Sequence, residues 1–149
     1  MKKEIFITLI SMALLILFLY TAFSKLFDPR EFHDSMLQQP LPEWFRAVLL
    51  KTLPWTEIAV GIVLAFPLTR QYGLWTSTVL LTAFTIYIGL GVAHIFPHVP
   101  CSCGGVFRHM SWPHHFYFNL GCLVVAITGL TLNRKNKKIN LSRGQIQLG

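Results

Sequence analysis

Two cysteines separated by a single residue are the part of this sequence best suited to covalent chemistry. Cys101 and Cys103 follow Pro100 and precede Gly104 and Gly105. A disulfide between them would close a very small ring, and strain raises the reduction potential of such a bond. The glycines leave the sulfurs accessible, so Cys103 is the predicted attacking thiol and Cys101 the thiol that resolves the mixed disulfide. The spacing predicts a redox-active dithiol, with a permanently bonded or merely exposed pair as the alternative.

Imidazole and guanidinium side chains flank the two cysteines in sequence, at His94, His98, Arg108, His109 and His114. A cation beside a cysteine lowers the pKa of the thiol and supplies the thiolate that attacks disulfides. We therefore expect Arg108, His109 and His114 to tune the pair. The same thiols and imidazoles, together with Met110, could instead bind Cu(I) or zinc. Because their spacing matches no standard zinc signature, we predict no metal ligand set, and metal handling stays an alternative.

Three residues of the last apolar segment fall on one face of a helix. His115, Asn119 and Cys122 occupy positions i, i+4 and i+7. Polar groups inside a membrane are costly and face the interior of a bundle or a functional cavity. The stripe predicts a pocket below the dithiol, where a quinone head group or a partner could meet it. Alternatively, Asn119 bonds a neighbouring helix and Cys122 is a small core residue.

Two residues of opposite charge lie at the ends of neighbouring apolar segments. Lys25 closes the first segment and Glu57 opens the second, so both belong to the outer end of a helical bundle. We predict a structural ion pair between them. The alternative is that Lys25 extends its ammonium group toward water while Glu57 sits favourably in a first helical turn.

The elements that position these residues are membrane helices. The chain has 149 residues, of which 53% are hydrophobic and only 13% charged, against about 25% charged in ordinary soluble domains. Its mean hydropathy is +0.52. Four apolar segments, at 5–23, 54–68, 72–96 and 114–132, predict membrane-spanning helices. The expected fold class is all-α, a polytopic membrane four-helix bundle that ends in a basic tail over 133–149.

Short helices are expected in the first outward loop. Asp28 and Pro29 have the form of a helix start, and the helix should continue to about Gln38. A second short helix is predicted from apolar and aromatic residues that oppose cations, namely Trp44, Phe45, Val48 and Leu49 against Arg46 and Lys51. This pattern is typical of a helix that lies in the membrane interface, and a lid packed on the other helices fits it equally.

The distribution of charge predicts the orientation of the chain. The formal net charge is +7, and much of the excess lies in the basic tail. Basic residues beside apolar segments report a cytoplasmic face more often than a nucleic-acid surface, so we expect no nucleic-acid partner. Lys2, Lys3, Arg70 and the tail would lie in the cytoplasm with both termini. The dithiol would then face the periplasm from a bacterial inner membrane, where disulfides persist.

The chain resembles the MauE/DoxX superfamily of small four-helix membrane proteins, particularly its MauE-like branch. The matching stretches are 20–26, 54–57, 101–105, 111–112 and 118–119. The resemblance implies a bundle similar to the disulfide-forming DsbB and vitamin K epoxide reductase proteins, with a role in thiol–disulfide traffic. This chain has Cys-Ser-Cys-Gly-Gly where MauE-like proteins often have Cys-Gly-Cys-Phe-Gly. It also carries one cysteine pair plus Cys122, whereas DsbB-type enzymes use two pairs.

These observations predict an inner-membrane thiol–disulfide redox protein, with thiol–disulfide oxidoreductase as its candidate enzyme activity. Its Cys101/Cys103 pair would exchange electrons with a periplasmic thiol protein, in support of disulfide formation or maturation of another protein. A quinone would suit as the electron acceptor, although no motif shows one. Two alternatives are a membrane protein that handles Cu(I) or another soft metal, and a non-catalytic subunit of a larger envelope complex.

Overall fold

The structure is built from helices that match the apolar pattern of the sequence. The computed structural model describes residues 2–93, 95 and 112–146, without the side chains at 2, 112, 138 and 140–146. This part of the chain folds into α1 (Lys2–Phe27), α2 (Pro29–Leu37), α3 (Glu43–Ala65), α4 (Arg70–Val92) and α5 (Trp112–Ile146). Four of these helices are long and apolar enough to cross a membrane, namely α1, α3, α4 and α5. The predicted all-α membrane four-helix bundle is confirmed.

The four long helices form a ring in the order α1, α3, α4, α5. Helix α1 packs on α3 and α5, and helix α4 packs on α5 and α3, so α1 and α4 face each other diagonally. Neighbours in the ring run antiparallel. We call the end formed by Phe27, Glu43, Val92 and Trp112 the loop end, and the end formed by Lys2, Ala65 and Arg70 the terminal end.

Helix α2 begins where the sequence predicts and lies at the loop end. The backbone N–H of Glu31 donates to Asp28 Oδ1 at 3.2 Å, and Pro29 occupies the first turn, where its missing N–H costs nothing. Phe32 and Met36 are the buried residues of this helix. These two side chains orient α2 toward the bundle, so the helix covers one end of it.

The second span differs from its predicted bounds. Helix α3 runs without a break from Glu43 to Ala65, so the predicted second short helix is its first part. We expected a boundary at Pro54, which instead lies inside α3 and is buried. A proline removes one backbone hydrogen bond, and membrane helices tolerate it where local groups compensate. The carbonyl that loses its N–H donor here is Leu50 O, whereas the nearby hydroxyl groups of Thr52 and Thr56 donate to Val48 O and Thr52 O at 2.8 Å each.

The last helix also extends beyond its predicted end. Helix α5 continues through the basic stretch to Ile146, whereas the sequence predicts a span to about 132. Lysine, arginine and glutamine are good helix formers, but they alternate here with asparagine, serine and glycine, so local propensity alone does not explain how far the helix continues. Contacts with other helices support it, because Asn133 Nδ2 donates to Gln71 Oε1 at 2.7 Å and Asn136 donates to Glu4.

The tightest contacts between helices lie away from the loop end. The core cluster consists of Ile10, Leu14, Phe18, Val60, Leu64, Leu74, Leu81 and Ala126. A Cβ added at Gly129 would lie 2.7 Å from Ile10 Cγ2, and one at Gly73 would lie 3.0 Å from the backbone N of Leu64. Only glycine lets α5 approach α1, and α4 approach α3, this closely.

Candidate functional site

A cavity of about 380 Å³ lies at the loop end, inside the bundle and beneath α2. All five helices contribute to its walls, which are mostly apolar. Its polar lining residues are Thr21, Lys25, Gln39, Glu57, Tyr87, His115 and Asn119. A pocket with apolar walls and a few convergent polar groups, of roughly 300–1,000 Å³, is the usual form of a small-molecule site. This cavity is therefore the candidate functional site.

An ion pair joins α1 to α3 at one wall of the cavity. Lys25 Nζ lies 2.9 Å from Glu57 Oε1 and 3.0 Å from Oε2, and it also donates to Thr21 O at 3.1 Å. Both side chains are only 4% exposed. The ammonium group also lies 5.9 Å from the centre of the Phe32 ring, within reach of a cation–π interaction. The structure thus brings together the two residues that the sequence paired.

Hydrogen bonds from α3 and α4 hold the end of α2 over the cavity. Arg46 donates to Leu37 O at 2.6 Å, and so binds a carbonyl in the last turn of α2. Tyr87, near the end of α4, donates to the side-chain oxygen of Gln39. Neither Gln39 nor Tyr87 belonged to the predicted site. They are 48 residues apart, and no sequence pattern links them.

The opposite wall carries two residues of the predicted stripe. Asn119 Nδ2 donates to Thr85 Oγ1 at 2.8 Å and to Leu81 O at 3.3 Å, so it joins α5 to α4. His115 is 4% exposed and also lines the cavity. Asn119 therefore both lines a pocket and bonds a neighbouring helix, two arrangements that the sequence left as alternatives.

The third residue of the stripe lies elsewhere. Cys122 is a free, half-buried thiol that packs against the apolar core cluster. It is not among the cavity-lining residues of the described chain. The position i+7 lies about 10 Å along the axis from His115, which carries it past the floor of the cavity.

The predicted dithiol lies outside the described residues, as do Arg108 and His109. The chain enters that segment at Val92, the end of α4, and leaves it at Trp112, the start of α5. Both points are close to the cavity in sequence. Ile88 and His115, which line it, lie four residues before the end of α4 and three residues after the start of α5.

The remaining candidate residue for tuning the thiols is placed at the start of α5. His114 is exposed and does not belong to the described lining of the cavity, unlike its neighbour His115. Among the residues that the structure describes, no group of three or more His, Cys, Asp or Glu side chains could hold a metal ion. The metal alternative draws on residues outside that part of the chain and stays a prediction.

Comparisons with known proteins agree on one family. The family model described as "Methylamine utilisation protein MauE" matches residues 3–132, which include most of every span. A curated relative, the methylamine utilization protein MauE of Methylorubrum extorquens, is 25% identical over 115 residues, which are 75% of this chain and 62% of the relative. The chain thus spans less than two thirds of that relative's length. No solved structure matches the chain.

Proposed function

The chain belongs to the MauE family, and from that premise we propose that it is a thiol–disulfide exchange protein of the bacterial inner membrane. Four helices suited to crossing a bilayer make it a multi-pass membrane protein. The Cys101/Cys103 pair is the redox couple and faces the periplasm, with both termini in the cytoplasm. The exchange partner is a periplasmic protein with a thiol pair that becomes a disulfide.

The position of the cavity is the observation that best supports this function. The segment with both cysteines starts and ends at the loop end, where the bundle holds a cavity with buried charged and polar side chains. A membrane protein keeps a buried ion pair and buried polar groups at a cost, so such groups mark functional sites. A dithiol segment anchored beside that site can pass electrons to a small molecule inside it.

The reaction transfers two electrons and two protons in each cycle. A partner thiolate attacks Cys103 Sγ of the Cys101–Cys103 disulfide, which forms a mixed disulfide and releases Cys101 as a thiolate. The second thiol of the partner then attacks the partner's sulfur in the mixed disulfide and releases Cys103 as a thiolate. The partner leaves with a disulfide, and the Cys101/Cys103 pair is reduced. A membrane quinone accepts the two electrons and two protons, becomes a quinol and restores the Cys101–Cys103 disulfide.

The first test measures whether the pair turns over in cells. Free thiols are alkylated with a mass tag before and after a brief pulse of reductant, in a Cys122→Ala background so that only Cys101 and Cys103 are counted. We expect a mixed population that becomes oxidised again after the pulse. A pair that stays oxidised throughout would be a structural brace, as in a non-catalytic subunit. A pair that stays reduced would point to metal binding.

A second test separates the roles of the two thiols. In Cys101→Ser the intramolecular disulfide cannot form, but in the reverse exchange the Cys103 thiolate attacks the disulfide of the oxidised partner and releases one partner thiolate. The resulting mixed disulfide on Cys103 has no Cys101 to resolve it, so this variant should accumulate a covalent adduct with the partner that a reductant releases. Cys103→Ser is the matched control and should accumulate far less. Equal adducts from both variants would contradict the assigned roles. A thiol reagent that cannot cross membranes, applied to intact cells directly after the reductant pulse, should label both cysteines and thereby test the orientation.

A further inference from the structure

We propose that the cavity at the loop end binds a hydroquinone with a hydrocarbon tail, and that it binds this reduced form more tightly than the quinone. The choice of a redox-active head group rests on the proposed function. The preference for the reduced form follows from the hydrogen bonds of Lys25, Glu57 and Asn119 on two walls of the cavity, which leave acceptors rather than donors at these three residues.

The donors on the α1/α3 wall are already in use. An ammonium group has three N–H bonds, and Lys25 directs one to each oxygen of the Glu57 carboxylate and one to Thr21 O. The carboxylate has about four lone-pair sites, of which Lys25 occupies two. This wall therefore offers a ligand the remaining acceptor sites of Glu57 and no ammonium hydrogen.

The amide donors of Asn119 on the α4/α5 wall are also in use. The side-chain amide of Asn119 has two N–H bonds, which go to Thr85 Oγ1 and Leu81 O. The Leu81 carbonyl can only accept, which fixes the amide nitrogen on that side. The Thr85 hydroxyl donates its hydrogen to the same carbonyl at 2.6 Å. No described residue donates to Asn119 Oδ1, so this acceptor is left for a molecule in the cavity.

The two sets of acceptors lie on opposite sides of the ring of helices. The seam between α1 and α3 carries Glu57, and the seam between α4 and α5 carries Asn119. A ligand that spans the cavity must donate a hydrogen bond at each end. Two hydroxyl groups in para positions on one aromatic ring meet this requirement, whereas the two carbonyl oxygens of a quinone can only accept.

The rest of the lining suits a flat ring with an apolar tail. Six aromatic side chains line the cavity, at Phe18, Phe32, Phe45, Phe84, Tyr87 and Phe118. Aromatic rings pack against one another in offset or edge-to-face arrangements and exclude water, which strengthens hydrogen bonds to buried acceptors. The surrounding bilayer supplies ligands of this kind.

Preferential binding of the reduced form would help the exchange reaction. Oxidation of the dithiol reads: quinone plus two cysteine thiols gives hydroquinone plus the Cys101–Cys103 disulfide. A site that binds hydroquinone tenfold more tightly than quinone raises the reduction potential of the bound couple by about 30 mV. The acceptor in the cavity therefore becomes a stronger oxidant of the dithiol.

The test measures binding of three ligands with the same ring and decyl tail to the full chain in lipid nanodiscs. They are the hydroquinone, kept under anaerobic conditions, the quinone, and the dimethyl ether of the hydroquinone. Affinity is measured by equilibrium dialysis and by the rise in melting temperature. The ether keeps the ring and tail but has no hydrogen-bond donor. The hydroquinone should therefore bind about tenfold more tightly than the ether or the quinone, a difference of about 1.4 kcal/mol in binding free energy. Equal binding of all three would overturn the proposal and identify a cavity filled by hydrocarbon.

Two asparagine variants locate the interaction. Asn119→Leu should reduce the preference for hydroquinone over ether, because only the acceptors of Glu57 then remain. Asn133→Leu is the matched control, because Asn133 bonds α5 to α4 in the same way about four turns away and does not line the cavity. Equal losses in both variants would overturn the assignment to Asn119. The ether comparison needs no variant and remains decisive if a substitution prevents folding.

The cysteine variant separates this inference from the proposed function. Cys101→Ser/Cys103→Ser should keep the preference for hydroquinone, since the acceptors on which this inference rests belong to Glu57 and Asn119. If this preference is present but the thiol pair does not turn over in cells, the thiol function fails and the binding site stands. If the pair turns over but all three ligands bind equally, the site assignment fails and the thiol function stands.

Discussion

The two ends of the bundle hold their helices together by different means. At the terminal end, small residues allow direct contact, as at Gly129 against Ile10 and Leu74. At the loop end, the helices stand around a cavity and are joined by side-chain bonds, such as those of Lys25 with Glu57 and of Asn119 with α4. The tightest glycine contacts and the cavity thus lie at different levels of one bundle.

This difference shows how a small membrane protein can keep a cavity. A void forfeits dispersion contacts along its walls, so the helices around it need other reasons to stay in place. Membrane helices gain much of their association energy from close packing of small residues, which the terminal end supplies. The loop end is then free to carry polar groups whose positions serve a ligand. The following variants test this division, beginning with the largest expected effect.

Removal of one charge from the ion pair should damage the loop end most. Lys25→Met leaves the Glu57 carboxylate buried without its cation, which costs about 3–5 kcal/mol. The double variant Lys25→Met/Glu57→Leu leaves no charge behind and should recover most of that loss. Reversible unfolding in detergent micelles, followed by circular dichroism, gives the three free energies of unfolding.

The control for the ion pair is a lysine that the bundle does not bury. Lys51 is exposed on α3, and Lys51→Met should change the free energy of unfolding by less than about 0.5 kcal/mol. If the double variant is no more stable than Lys25→Met alone, the two charges do not depend on each other. The ion pair would then not be what joins α1 to α3 at the loop end.

At the terminal end, one added methyl group should be costly. A Cβ at Gly129 would lie 2.7 Å from Ile10 Cγ2 and 3.1 Å from Leu74 Cδ2, so Gly129→Ala should destabilise the bundle by about 1–3 kcal/mol. On the same helix, a Cβ at Gly121 would meet nothing within 4 Å. Gly121→Ala should therefore leave the melting temperature unchanged or raise it. Equal melting temperatures for the two variants would show that close packing does not hold the terminal end.

The same substitution, asparagine to leucine, at one interhelical asparagine in each end compares the two ends directly. Asn119→Leu removes two hydrogen bonds from α5 to α4 at the loop end and Asn133→Leu removes one at the terminal end. Each variant should lower the free energy of unfolding by about 0.6 kcal/mol, the average for one such side-chain interaction in a membrane protein. Without ligand, we therefore expect similar losses, measured by unfolding in micelles. A much larger loss for Asn119→Leu would mean that the loop end depends on this amide for stability rather than for binding.

Sequence patterns predicted the bundle because long apolar segments have one stable form in a bilayer, where every backbone group must be bonded within the helix. The pairing of Lys25 with Glu57 could also be predicted, since the two opposite charges border adjacent apolar segments of the sequence. The continuous course of α3 through Pro54 could not, because a proline is typical of the first turn of a helix and its place inside α3 shows only in the folded chain. The link between Gln39 and Tyr87 was equally hidden, since only the packing of α2 on α4 creates it.

The smallest expected effect concerns Cys122, which the sequence pattern puts on one helix face with His115 and Asn119. In the folded chain this thiol packs against the apolar core cluster, below the cavity. Cys122→Ala should therefore leave the reoxidation rate of Cys101 and Cys103 in cells unchanged, and should cost only the small loss of packing around one sulfur. Asn119→Leu, measured beside it, should slow reoxidation because it alters the site where the electron acceptor binds. Slower reoxidation in Cys122→Ala would instead place a third thiol in the electron path and extend the working region of the molecule from the loop end into the packed core.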